Sequence, residues 1–141
     1  MAKNTPSGSV QHINPDGMSK NPAFTNVIVV SGSVKTVYIG GQDAVDATGA
    51  IVGKGDIAKQ TEQVLKNLQT ALSAVGAGLE NVVKWNVYIV QGQSLRAGFA
   101  AFQAAWGNRP NPPAISGMFV AGLANPDFLV EMDAIAVIPD P

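Results

Sequence analysis

Tyr38–Val90 reads YIGGQDAVDATGAIVGKGDIAKQTEQVLKNLQTALSAVGAGLENVVKWNVYIV, and the order of features along it decides the fold. An apolar strand end runs into Gly40-Gly41-Gln42, and a loop with four glycines occupies 41–55. Asp56 predicts a helix start, because an aspartate side chain accepts hydrogen bonds from the free backbone N–H groups of a first turn. Ile57, Val64, Leu65, Leu68, Leu72 and Val75 then recur at three- and four-residue steps, which makes one apolar helical stripe. Lys59, Glu62, Lys66 and Gln69 fall mostly on the outer face. Gly76 and Gly78 are predicted to end the helix where φ turns positive. Val83, Trp85, Val87 and Ile89 alternate with Lys84, Asn86, Tyr88 and Val90, a strand with one fully apolar face.

Upstream, residues 1–22 are rich in Pro, Gly, Asn and Ser and read as an N-terminal arm, with a short edge strand at Val10–Ile13. The remainder, 23–141, reads as a single domain. Thr25–Ser31 and Val34–Ile39 are β-branched runs flanking Ser31-Gly32-Ser33, and the pattern predicts an antiparallel hairpin. Downstream, Leu95, Phe99, Phe102 and Trp106 mark a second helix over about 94–106, stopped by Gly107 and the proline-rich NRPNPP. Ala114–Val120 and Phe128–Ile138 complete the strands. Two helices interrupting a mixed sheet predict an α+β layer with both helices on one face. The other face is then bare, and an apolar bare face needs a partner.

Composition narrows the function. The chain has 141 residues, with 46% hydrophobic and only 13% charged, against about 25% charged in a typical domain. That balance favours apolar surface covered by other subunits, since obligate interfaces resemble a core cut in half. Nine Lys and Arg oppose ten Asp and Glu, so no clustered basic face is expected for nucleic acid. Cysteine is absent, which excludes disulfides and thiolate chemistry. No stretch reaches the roughly 20 apolar residues of a membrane helix, and the N-terminus has no apolar secretory core. A cytoplasmic protein is the expectation.

Most motif matches fail on inspection. Gly53-Lys54-Gly55-Asp56-Ile57-Ala58 fits a loose dinucleotide pattern, but Asp56 at the helix start repels phosphate, so the segment reads as a loop and an N-cap. Asp43, Asp46 and Asp56 lack the spacing of a calcium loop and read as a solvated loop. His12 is the only histidine and reads as an exposed arm residue. No metal and no cofactor are expected. Trp85 and Phe102 read as core aromatics.

One strand carries a chemical anomaly. Glu131 and Asp133 share a face with Ile135 and Val137. Buried carboxylates on such a face are costly unless paired or hydrogen-bonded, and burial raises a carboxyl pKa toward the range useful for proton transfer.

Gly41-Gln42, Asn67-Leu68, Val82-Val83-Lys84 and the run Glu131 through Ala136 together resemble the Rid family (reactive intermediate deaminases, also RidA/YjgF or L-PSP). The resemblance spans about 24–138. It implies a chorismate-mutase-like fold, a homotrimer around a central barrel-like core, and a pocket between two subunits that hydrolyses enamines and imines of amino acids. It also implies that Glu131 positions and activates water. The family's substrate-binding Arg is replaced by Ile115. Phe24 stands where a Tyr is expected, Gly40 for a Ser, Phe99 for an Asn and Gly117 for a Cys. A bidentate Arg–carboxylate contact is hard to replace. Arg96 and Arg109 are the nearest cations in sequence, and a loop arginine such as Arg109 tends to keep its head in water.

The expected site is therefore Glu131 as acid/base, with Phe24, Phe99, Trp106 and Ile115 as walls and the backbone around Gly40, Gly41 and Gly117 as floor. It suits an uncharged ligand rather than 2-aminoacrylate. The expected function is a non-standard Rid-type hydrolase; a binding protein for an apolar metabolite is the alternative, and an RNA-acting protein is the weakest reading.

Overall fold

The computed structural model describes residues 7–141. Elements follow in the order β1 (Ser9–Ile13), β2 (Val27–Ser31), β3 (Val34–Gln42), α1 (Ile57–Ser73), a short 3-10 turn at Leu79–Asn81, β4 (Val82–Val90), α2 (Leu95–Trp106), β5 (Ala114–Val120) and β6 (Val130–Pro139). A four-stranded sheet has the order β3-β6-β4-β5. β6 is antiparallel to both its neighbours, and β4 runs parallel to β5. The fold is α+β with both helices packed on this mixed sheet, as the periodicity predicts.

The hairpin expected from Thr25–Ser31 and Val34–Ile39 does not form. β2 pairs instead with β1 of the arm, Ser31 opposite Ser9 and Val27 opposite Ile13. β3 gives its ladder to β6, from Val34 opposite Pro139 to Gln42 opposite Met132. Gly32, at φ 78°, lets the chain turn between them. Local turn chemistry marks the bend correctly, but it cannot say which strands pair across it.

Asp56 caps α1, its carboxylate accepting from the Lys59 N–H at 3.1 Å. Val64, Leu65, Leu68 and Leu72 are buried against Ile39, Trp85, Met132, Ala134 and Ala136. Val75 lies beyond the helix and is exposed. Gly76 has the positive φ expected after a helix, whereas Gly78 is extended at φ −137° and caps the 3-10 turn. An irregularity between Val82 and Lys84 brings Val82 rather than Val83 into the core beside Trp85 and Ile89.

Gln60 is fully buried on α1, a polar residue that the apolar stripe does not announce. Its amide donates to the Gly53 and Asp127 carbonyls at 3.2 and 2.9 Å and accepts from the Leu129 N–H at 2.9 Å. One side chain thus ties the loop before α1 to the entry of β6. Among the described residues, no helix is long and apolar enough to cross a membrane.

Candidate functional site

The sheet presents two unlike faces. Trp85 pairs with Ile115 on β5 and with Ala134 on β6, so these side chains point toward the helices. Alternation then puts Lys84, Asn86 and Tyr88 of β4 on the opposite, uncovered face, with Glu131 and Asp133 of β6 across from Tyr88 and Asn86. Ile115 and Glu131 therefore sit on opposite sides of one sheet.

On the helix side, a cavity of about 250 Å³ opens between α2 and β4–β5. Phe99, Phe102, Ile115, Gly117, Phe119 and Met132 are among its lining residues. Phe99 stacks on Phe102 with ring centroids 6.2 Å apart, and Phe102 meets Trp85 edge-on at 4.9 Å. Phe99 is 44% exposed at the mouth. Gly117 leaves open space where a side chain would project. Three expected residues, Phe99, Ile115 and Gly117, thus meet here. Trp106 does not line this cavity: it is buried in the core, and its indole N–H donates to the Arg109 carbonyl at 2.9 Å. Phe24 is half-buried in the loop before β2, next to Thr25, whose hydroxyl donates to the Pro112 carbonyl.

Neither candidate arginine enters the cavity. The Arg109 guanidinium donates to the Ala105 and Trp106 carbonyls at 2.9 and 2.8 Å and approaches Glu80 at 3.7 Å. It caps the end of α2. Arg96 is exposed on the first turn of that helix.

On the uncovered face, Asp133 accepts from Asn86 at 2.7 Å and from the Tyr88 hydroxyl at 2.8 Å. That bond to Asp133, with partial burial, raises the Tyr88 phenol pKa. Lys84 donates to Ser116 at 2.7 Å. Glu131 is half-buried and lies against Gly41: a Cβ at position 41 would stand 2.7 Å from its Oε2. Gly41 therefore provides the space that Glu131 occupies. Gly40, one residue earlier, has nothing within 4 Å of its Cβ position.

Asp43 corrects the picture of a solvated aspartate loop. It is half-buried beside Glu131, and its Oδ1 is buried with no hydrogen-bond donor. Burial first, then a carboxyl–carboxyl hydrogen bond and the charge of Glu131, push its pKa up to about 7. Two carboxyls hydrogen-bond to each other only when one carries a proton. The loop is held by Asn67 of α1, whose amide donates to the Asp43 and Val45 carbonyls at 3.0 and 2.9 Å. Gln63 in turn donates to Asn67 at 2.8 Å. Asp46, by contrast, does behave as a turn residue, accepting from Thr48 and Ala50. His12 is half-buried on β1 rather than exposed, and that burial lowers its pKa. Among the described residues, no group of three or more His, Cys, Asp or Glu is placed to hold a metal.

Residues 19–138 match the family described as Endoribonuclease L-PSP. The chain belongs to the Rid family. A RutC family protein of Synechocystis is 39% identical over 107 residues, covering 73% of this chain and 78% of that one. A rat protein named 2-iminobutanoate/2-iminopropanoate deaminase is 29% identical over 82% of this chain and 80% of its own length. The crystal structure of a Rid-family protein of Yersinia pestis superimposes with a TM-score of 0.81 at 31% identity, covering 92% of this chain and 98% of that chain. Sequence reasoning found this membership through the Gly-Gln, Asn-Leu and β6 segments. It missed Asp43, because its place beside Glu131 depends on how β3 is registered against β6.

Proposed function

We propose that this Rid-family chain is a hydrolase of small imines or enamines lacking a carboxylate, with Glu131 as acid/base in a pocket completed by a second copy of the chain. The separation of Glu131 from Ile115 carries this reading. Within one chain, Glu131 and Gly41 stand on the uncovered face and Phe99, Ile115 and Gly117 on the helix side, so a neighbour must supply one half if all are to line one pocket. The bare face gives such a neighbour a place to dock. A homotrimer with that face turned inward agrees with the low charge content of the chain.

The rat relative's name describes an activity on imino acids, which are anions. Here position 115 offers an isoleucine, and among the described residues Glu131 takes part in no ion pair. An anion entering beside Glu131 meets repulsion and no guanidinium. The wild-type protein is thus expected to turn over 2-aminoacrylate poorly and imines without a carboxylate better. Glu131→Gln removes the proton acceptor with little change in volume and should lower imine turnover by at least about 100-fold, in keeping with the usual worth of a general acid/base. Turnover that survives this substitution rules out the role.

The cavity beside Phe99 favours a second reading, a binding protein for an apolar metabolite. A ligand that raises the melting temperature and is recovered unaltered after long incubation distinguishes this from hydrolysis. Nine basic against ten acidic residues supply no excess positive charge for RNA phosphates.

A further inference from the structure

We propose that Asp43 is the proton partner of Glu131, the two carboxyls holding one proton between them, and that the site therefore takes a basic, protonatable imine. This rests on the reading of Glu131 as the acid/base. Three features of the fold place the pair. Gly41 has no side chain and leaves room for the Glu131 carboxyl. The ladder between β3 and β6 shifts register between Ile39 and Gln42, just before the chain leaves the sheet at Asp43. Asn67 then clamps the backbone at Asp43 and Val45 from α1. The buried Asp43 Oδ1 has no hydrogen-bond donor, so a bare carboxylate there is unsatisfied, and a proton shared with Glu131 relieves that cost.

Most charged and titratable groups around the pair are engaged elsewhere, and Lys66, which lines the same groove as Asp43, forms no ion pair with either carboxyl. Tyr88, opposite Glu131 in the ladder, donates to Asp133. Asp133 is satisfied by Tyr88 and Asn86. Lys84 donates to Ser116. On the loop side, Asp46 accepts from Thr48 and Ala50, and Lys66 of α1 lies near Asp46. Tyr38 on β3 pairs with Ile135 and is exposed. Among the described residues, no Lys or Arg forms an ion pair with Asp43 or Glu131. The pair with one proton thus carries a single negative charge, which draws in a cation and repels an anion.

The chemistry balances on these groups. The substrate enters as an iminium. Water oxygen bonds to the imine carbon, the C=N π electrons move to nitrogen, and the water's proton passes to the pair, which becomes neutral. The pair then protonates the amine, the C–N bond breaks, and the hydroxyl electrons form the carbonyl. The hydroxyl proton leaves with the amine as ammonium, and the pair returns to one proton.

The test is a carbon-13 titration of the aspartate carboxyls, by NMR, in the full chain and in Asp43→Asn and Glu131→Gln. One aspartate resonance should titrate near pH 7. It should vanish in Asp43→Asn, and its midpoint should fall by more than one pH unit in Glu131→Gln. If every aspartate titrates below about pH 5, or if Glu131→Gln leaves the midpoint in place, the pairing is wrong. Turnover separates the two proposals: a normal titration with Glu131→Gln inactive removes the pairing alone, and a raised titration with Glu131→Gln fully active removes the hydrolase role alone. Pyrroline and its carboxylate, compared by thermal shift at neutral pH, test the substrate class. The parent, a protonatable imine with no carboxylate, should bind at least tenfold tighter, and preference for the carboxylate would overturn the class.

Discussion

The helix-side face of the sheet holds Trp85, Ile89, Ile115, Val130 and Met132, while the uncovered face holds Lys84, Asn86, Tyr88, Ser116, Glu131 and Asp133. The same three strands supply both sets, one residue out of phase. The helix side is stabilised by removing apolar area from water, and a polar atom such as the Trp85 N–H is admitted only with a partner, here the Met132 sulfur at 3.3 Å. The uncovered side is a hydrogen-bonded carboxylate and amide network, with Tyr38 and Met118 exposed around it. One face specifies the fold, and the other is free to specify chemistry and association.

Substitutions on each face should separate these roles. The largest effect is expected from Trp85→Ala, which empties the centre of the helix-side core and should cost about 3–5 kcal/mol in urea unfolding. A loss below about 1 kcal/mol would mean that the core tolerates collapse there and that the contrast between the faces is overstated. Lys84→Glu, on the other side, leaves that core untouched. It adds a third acid to a face already carrying Glu131 and Asp133, so light scattering should find the proposed trimer reduced to monomers. A trimer mass that persists would remove this face as the interface.

Asp43→Asn should have the smallest effect, and one that depends on pH. The folded-state pKa of Asp43 is raised above the ordinary aspartate value to about 7, so folding favours its protonated form. The stabilising contribution is complete below about pH 4 and is lost as pH rises through about 7. Asparagine does not titrate. Because Asp43 is only half-buried, solvent screens much of this shift, and the variant should gain on wild type between about pH 4 and pH 8 by about 2–4 °C in melting temperature. A constant difference across that range would show that the carboxyl is not perturbed in the folded chain.

Much of this architecture is legible in the sequence because local rules act on it without help. The α1 stripe, the Asp56 cap, the stop at Gly107 and the bounds of β5 follow from periodicity and capping, whose causes lie within a few residues. Glu131 and Asp133 stand out because two acids two apart on an apolar strand conflict with burial. Apart from the end of α1, where Val75 and Gly78 depart from the helical pattern, the failures are long-range. The strand before Gly32 pairs with the arm and not with its neighbour in sequence. Gln60 is buried because three backbone groups from distant loops converge on it. Asp43 looks like one more loop acid until the register of β3 on β6 carries it to Glu131.

The sequence by itself determined the helices, the strands and the Rid membership, since each is written in residue type and spacing. Only the tertiary structure decided that Ile115 and Glu131 face opposite ways, and that Glu131 has Asp43 as its neighbour. Strand register and loop closure set those two facts, and both depend on contacts between residues far apart along the chain, which no local pattern encodes.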